Sequence, residues 1–151
     1  MTLEVIFYGL TLSPLEKALP KLLEKVYESS KRALVIVESL ERLQTLNVNL
    51  WTYSSGAFLP HLSDQDDMNL QEVQPILLST QENFINKPTI LVSTFEYFPK
   101  KPEVYEKILY VLDISTPQFL KSTQTLMKRY QDQGALVTFW KQSKEKGWEK
   151  S

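Results

Sequence analysis

His61 is the chain's single histidine, so it is the first residue to test for chemistry. Ser54 and Ser55 precede it and Asp64 follows it, which on paper supplies a nucleophile, a base and an orienting carboxylate. The surroundings argue against a triad. No GxSxG elbow frames either serine, and nearness along the chain says little about geometry.

Metal chemistry has equally little to stand on. Asp64, Asp66 and Asp67 are spaced like the start of a calcium loop, but its sixth position holds Asn69, where the sharp turn of such a loop needs glycine. With no cysteine and one histidine, a zinc site would depend on carboxylates or water around His61. Glu103 with Glu106, and Glu145 with Glu149, have helical spacing, but nothing in the sequence builds a cleft around them. Phosphate binding at a first strand–helix turn needs several glycines, because the backbone must present its N–H groups at close range. In "FYGLTLSPLEKAL" Gly9 stands alone, and neither GxGxxG nor GxxxxGK[ST] occurs among the four glycines. The expectation is a non-catalytic protein with no cofactor and no metal.

Recognition chemistry is better supplied. "LWTYSSGAFLPHL", residues 50–62, concentrates Trp51, Tyr53, Phe58, Pro60 and His61 in an irregular stretch. Aromatic side chains give large contact area at low entropic cost and dominate interface hot spots. A second candidate is "STPQFLKSTQTLMKRYQDQG". Its Phe119, Thr123, Leu126 and Tyr130 have the spacing of a packed helix face, and Lys121, Gln124, Thr125 and Lys128 fall beside them, with Arg129 close by. Such a basic stripe suits an acidic peptide that ends in a hydrophobic residue. Charge reinforces this reading. Residues 1–120 hold 10 basic and 15 acidic side chains, while residues 121–151 hold 7 and 3, an asymmetry that steers anionic partners to one end. The alternative for the basic C-terminal end is direct binding of single-stranded nucleic acid.

The elements that must position these residues follow from apolar runs and caps. Short buried strands are expected at 3–10, 32–39, 75–79, 88–93, the end of 104–113, and "ALVTFW". Between them come a helix with Ser13 as cap, Pro14 at its start and Pro20 inside, an amphipathic helix on Leu40, Leu43 and Leu46, and a helix from Ser115 or Thr116 to Gly134. Strands alternating with helices predict a three-layer α/β/α sandwich with a mostly parallel sheet and nucleotide-binding-like topology lacking a nucleotide site. One domain is expected over residues 1–140, with 141–151 as a mobile Lys-rich tail. The chain starts with no secretory leader and has no apolar run of roughly 18 residues, so a soluble, cytoplasmic protein is expected.

The collinear series "FYGL", "KRALVIVES", "LWTYSSGAFLPHL", "ILVSTFEYFPKKPEVYEKILYVLD" and "MKRYQDQGALVTFWK" resembles the chi subunits of bacterial DNA polymerase III, through almost the whole length. The resemblance implies a clamp-loader accessory subunit that acts at the replisome. One surface would hold the psi subunit, and through it the clamp loader; another would hold the acidic, Phe-terminated tail of single-stranded DNA-binding protein. By position, Trp51, Phe58, Pro60 and His61 match the psi-facing segment. Lys121, Gln124, Lys128, Arg129 and Tyr130 fall on the helix that receives the tail. DNA would be reached only through these partners. The family often has arginine where this chain has Gln124 and Gln131, and arginine's fork is the better carboxylate ligand. The resemblance gives Trp148 no role.

Overall fold

The computed structural model describes residues 2–54, 59–144 and 147–151. In chain order the elements are β1 (Glu4–Leu10), α1 (Leu15–Glu28), β2 (Ala33–Ile36), α2 (Leu40–Thr52), β3 (Leu62–Ser63), α3 (Met68–Gln71), β4 (Ile76–Ser79) and β5 (Ile90–Ser93). A 3-10 turn at Pro102–Val104 leads into β6 (Lys107–Asp113), α4 (Pro117–Asp132), β7 (Leu136–Ser143) and β8 (Gly147–Lys150). The eight strands form one sheet in the order β3-β4-β2-β5-β6-β1-β7-β8. All pairings are parallel except that of β7 with β8.

Side-chain alternation divides the interior into two layers. Ala33 and Val35 point to the face where Leu19 and Leu23 of α1 meet Leu43, Leu46 and Leu50 of α2. Leu34 and Ile36 point to the other face, with Leu126 and Tyr130 of α4. Helices on both faces of a largely parallel sheet make this the expected α/β/α sandwich of nucleotide-binding type, and explain why its strands read as continuous apolar runs.

Pro20 sits inside α1 and is buried. An interior proline costs about 3 kcal/mol, partly because the carbonyl four residues back loses its donor. Here that carbonyl, Glu16 O, accepts instead from Asn49 Nδ2 of α2 at 2.8 Å. The replacement bond and the buried Leu19, Leu23 and Val26 keep the helix continuous through the proline. At both ends of α4 the reading holds as well: Thr116 accepts from Phe119 N at its start, and Gly134, at φ +83°, closes it. Gly134 N reaches Gln131 O, and Ala135 N reaches Tyr130 O, the paired bonds of a Schellman end.

Two expectations change. Ser13 does not cap α1; Pro14 holds the cap position and has no side-chain cap bond. Where 141–151 was read as a mobile tail, Lys141–Ser143 complete β7 and Gly147–Lys150 form β8, with Trp148 packed edge-to-face on Tyr8 at 5.3 Å.

Candidate functional site

Of Trp51, Phe58, Pro60 and His61, the four residues matched to the psi-facing segment, the structure brings Trp51 and His61 together. Their ring centroids are 4.1 Å apart. Trp51 is 44 % exposed, whereas His61 is 1 % exposed. Both imidazole nitrogens face backbone carbonyls, Nδ1 that of Leu59 at 2.7 Å and Nε2 that of Asn47 at 3.2 Å. His61 therefore shapes the surface from beneath and cannot itself meet a partner or act as a base. Pro60 is half-buried beside it, and Phe58 lies outside the described residues. Val48, one helical turn before Trp51, is exposed, as are Met68, Leu70 and Val73 around α3. Apolar side chains thus reach solvent both on α2 and beside the β3 edge of the sheet.

The carboxylates of the acidic loop are engaged locally. Asp66 accepts from Ser63 N at 2.8 Å, Asp67 caps α3 through Asn69 N, and Asp64 accepts from the Ser79 hydroxyl at 2.9 Å. No group of three or more metal-ligating side chains occurs among the described residues.

On α4, Thr123, Leu126 and Tyr130 form the packed stripe, but Phe119, expected with them, is 45 % exposed. Lys121 and Gln124 are exposed, and Lys128 meets the exposed Asp132 at 3.4 Å, a pairing worth little in water. The Arg129 guanidinium lies 3.6 Å from the centroid of the Phe98 ring, whose other neighbour is Tyr130 at 4.8 Å. Tyr130, which its spacing puts on the packed face and the resemblance puts among the tail-binding residues, is fully buried. It continues the Leu126 stripe, and its hydroxyl meets that of Tyr110 at 2.6 Å.

That contact opens a network under α4. Tyr110 donates to Tyr97 O at 2.5 Å, and Tyr97 and Tyr105 donate to the Glu82 carboxylate at 2.6 and 2.7 Å. Burial pushes the Glu82 carboxyl up, but the bonds from Tyr97, Tyr105 and the Lys100 N–H, with the Lys100 charge, outweigh it and leave the group below the usual range. Burial, followed by the bond to Glu82, pushes Tyr97 up to about 12.

The β1–α1 turn, where related folds hold phosphate, is filled by the protein itself. Oε1 of Gln142 accepts from Thr11 N, Leu12 N and Ser13 N at 3.0, 2.9 and 3.0 Å. Gly9 is required there for a different reason than a phosphate loop: a Cβ would come within 2.4 Å of Ile114 Cδ1 and 3.0 Å of Phe139 Cε1.

The family profile described as "DNA polymerase III chi subunit, HolC" matches residues 1–138. The chain belongs to the DNA polymerase III chi subunit family. A probable DNA polymerase III subunit chi from Rickettsia prowazekii (strain Madrid E) is 34 % identical over 76 residues, covering 50 % of this chain and 45 % of that protein. The match therefore spans about half the length of this curated relative. Among solved structures, the C-terminal domain of the DEAD-box protein Dbp5 superposes with a TM-score of 0.54 over 91 % of each chain, at 9 % identity, a likeness of fold alone. In this chi-family chain the exposed candidates are Trp51, Lys121, Gln124, Lys128 and Arg129; His61 and Tyr130 support them from below. Sequence reading missed Glu82 and Gln142, whose partners lie on other elements, and no local pattern marks either residue.

Proposed function

We propose that this chi-family chain is a non-catalytic accessory subunit that bridges two partners of the replication machinery in the bacterial cytoplasm. The α2 surface around Trp51 would hold psi, and through it the clamp loader. The exposed face of α4, with Lys121, Gln124 and Lys128, would hold the C-terminal tail of single-stranded DNA-binding protein.

The observation that carries this reading is the placement of the two surfaces. Trp51 ends a helix on one face of the sheet, in the layer over β2 and β4. The α4 cations ride a helix on the opposite face, in the layer over β6 and β7. Partners docked on opposite faces do not exclude one another, so linkage can raise the local concentration of clamp loader at coated single strands. The resemblance to chi subunits is what suggests psi and the single-stranded DNA-binding protein tail as the partners.

The test is calorimetric titration with a synthetic acidic peptide ending in Phe, alongside capture of psi. Binding of the peptide should need its last Phe and weaken in Lys128→Ala, while Trp51→Ala loses psi and keeps the peptide. No affinity for the peptide, or loss of both partners in one variant, would sink the bridge.

A further inference from the structure

On the α1 side, the helices cover the sheet from β4 to β6. Beyond β6 the face opens. Ile6, Tyr8, Thr138, Trp140 and Trp148 are half-buried there, and Lys150 is exposed. The register makes this a platform: Tyr8 lies beside Trp140, Trp140 beside Lys150, and Gln142 beside Trp148. Paired residues of neighbouring strands point to the same face, so all three rings share it. A cavity of about 460 Å³ adjoins the platform, with Tyr8 and Trp148 on one side and Lys17, Lys21 and Lys25 of α1 on the other.

The three lysines recur every four residues, which places them about 6 Å apart along one helix face. None is in an ion pair among the described residues. On the platform's own face the acid Glu4 is paired with Lys107 at 3.9 Å, and Glu149, opposite Lys141 in the ladder, points to the far face. A row of cations at even spacing beside a sheet of flat rings suits a stretched polyanion whose repeating units carry π-faces. An acidic peptide would use the cations but leave the rings without matching partners.

We infer that the face formed by β1, β7 and β8, bordered by the α1 lysines, is a binding site for single-stranded nucleic acid. Phosphates follow Lys17, Lys21 and Lys25, and bases stack on Trp140 and Trp148. This departs from the expectation that DNA is reached only through protein partners, and it moves any direct contact away from α4.

The experiment titrates the full chain with a fluorescent-labelled oligo(dT) at low salt, reading anisotropy together with intrinsic tryptophan fluorescence. Binding should quench the tryptophans and weaken with salt at a log–log slope of roughly −2, as three phosphate contacts on a single strand require. Lys17→Glu with Lys21→Glu and Lys25→Glu should lower the affinity at least about tenfold, while Lys128→Glu leaves it unchanged. Trp148→Ala should remove most of the quenching; the lysine variant decides the matter if that protein does not fold. No binding at low salt, binding lost in Lys128→Glu and kept in the α1 variant, or an acidic peptide taken at this face with no affinity for oligo(dT), would each overturn the site.

Discussion

The side-chain oxygen of Gln142 lies 2.9 Å from the amide nitrogen of Leu12, and Thr11 and Ser13 donate to the same atom. One side chain from the last parallel strand thus gathers the donors of the turn that leads from β1 into α1. Replacing it with alanine strands three N–H groups at a partly open site, at a cost of about 1–2 kcal/mol. Gln142→Glu should act in the opposite sense. A carboxylate at the N-terminus of a helix gains about 0.3–1 kcal/mol, and its ionised form is held by three N–H bonds. Urea unfolding at neutral pH checks the order Glu, Gln, Ala. The Glu advantage should vanish as acid protonates the carboxylate.

Gly9→Ala tests whether the glycine serves close packing. The new methyl would overlap Ile114 and press on Phe139. Overpacking of this kind costs about 1–3 kcal/mol, read as a melting temperature lowered by about 2–4 °C per kcal/mol in a chain of this size. Pairing it with Ile114→Val should recover part of the loss. A double variant no more stable than Gly9→Ala would place the strain elsewhere.

What could be seen in the sequence was what is local. Thr116, Pro117 and Gly134 marked α4 because caps and stops act on their own turn. The apolar runs marked the strands because a strand buried on both faces has no other composition available. β8 was invisible: "GWEK" turns only Trp148 and Lys150 toward the α1 face, and a Lys-rich stretch reads as solvated. The Gln142 turn was invisible because its partners lie some 130 residues away. In the candidate site, the exposure of Lys121 and Lys128 and the burial of Tyr130 followed from helical spacing, but the partners of Tyr130, the Tyr110 hydroxyl and the Phe98 ring, lie on other elements, which no spacing within α4 can supply.

Glu82 should govern part of the acid limb of stability. Its carboxyl lies below the usual range in the folded protein, so the ionised form binds Tyr97, Tyr105 and Lys100 N more tightly than the protonated form does. The stabilisation is present above the unfolded value of 4.5 and is lost as pH falls through the folded one. Glu82→Gln should lower stability at neutral pH and flatten its decline between roughly pH 5 and 3. Equal slopes for the two proteins would assign the acid limb to other carboxylates.

At alkaline pH the same network acts with the opposite sign. Burial raises Tyr130 to about 12, despite the lowering effects of the Tyr110 bond and Arg129. A phenol raised in the folded state adds stability that is complete below its unfolded value of 10.0 and disappears as pH rises toward the folded one. Tyr130→Phe should therefore cost about 1 kcal/mol at neutral pH and show a shallower loss above pH 10. Ultraviolet titration of phenolate absorbance would follow the group directly.

Trp51→Ala and His61→Ala separate a docking residue from the residue beneath it. Trp51 keeps nearly half its surface in solvent, so its truncation, which gives up a ring contact with His61 worth about 1 kcal/mol, should cost less stability than removal of the fully buried His61. His61 is buried between two carbonyls, and its removal leaves the one its N–H serves without a donor at a cost of about 1–3 kcal/mol. Under the proposed bridge both variants lose psi, but only His61→Ala moves the urea midpoint substantially. Restoring stability in His61→Ala through a stabilising change elsewhere, such as Gln142→Glu, should not restore psi binding if the imidazole sets the pose of the indole. Recovery of binding along with stability would instead mean that His61 matters to the surface only by keeping α2 folded.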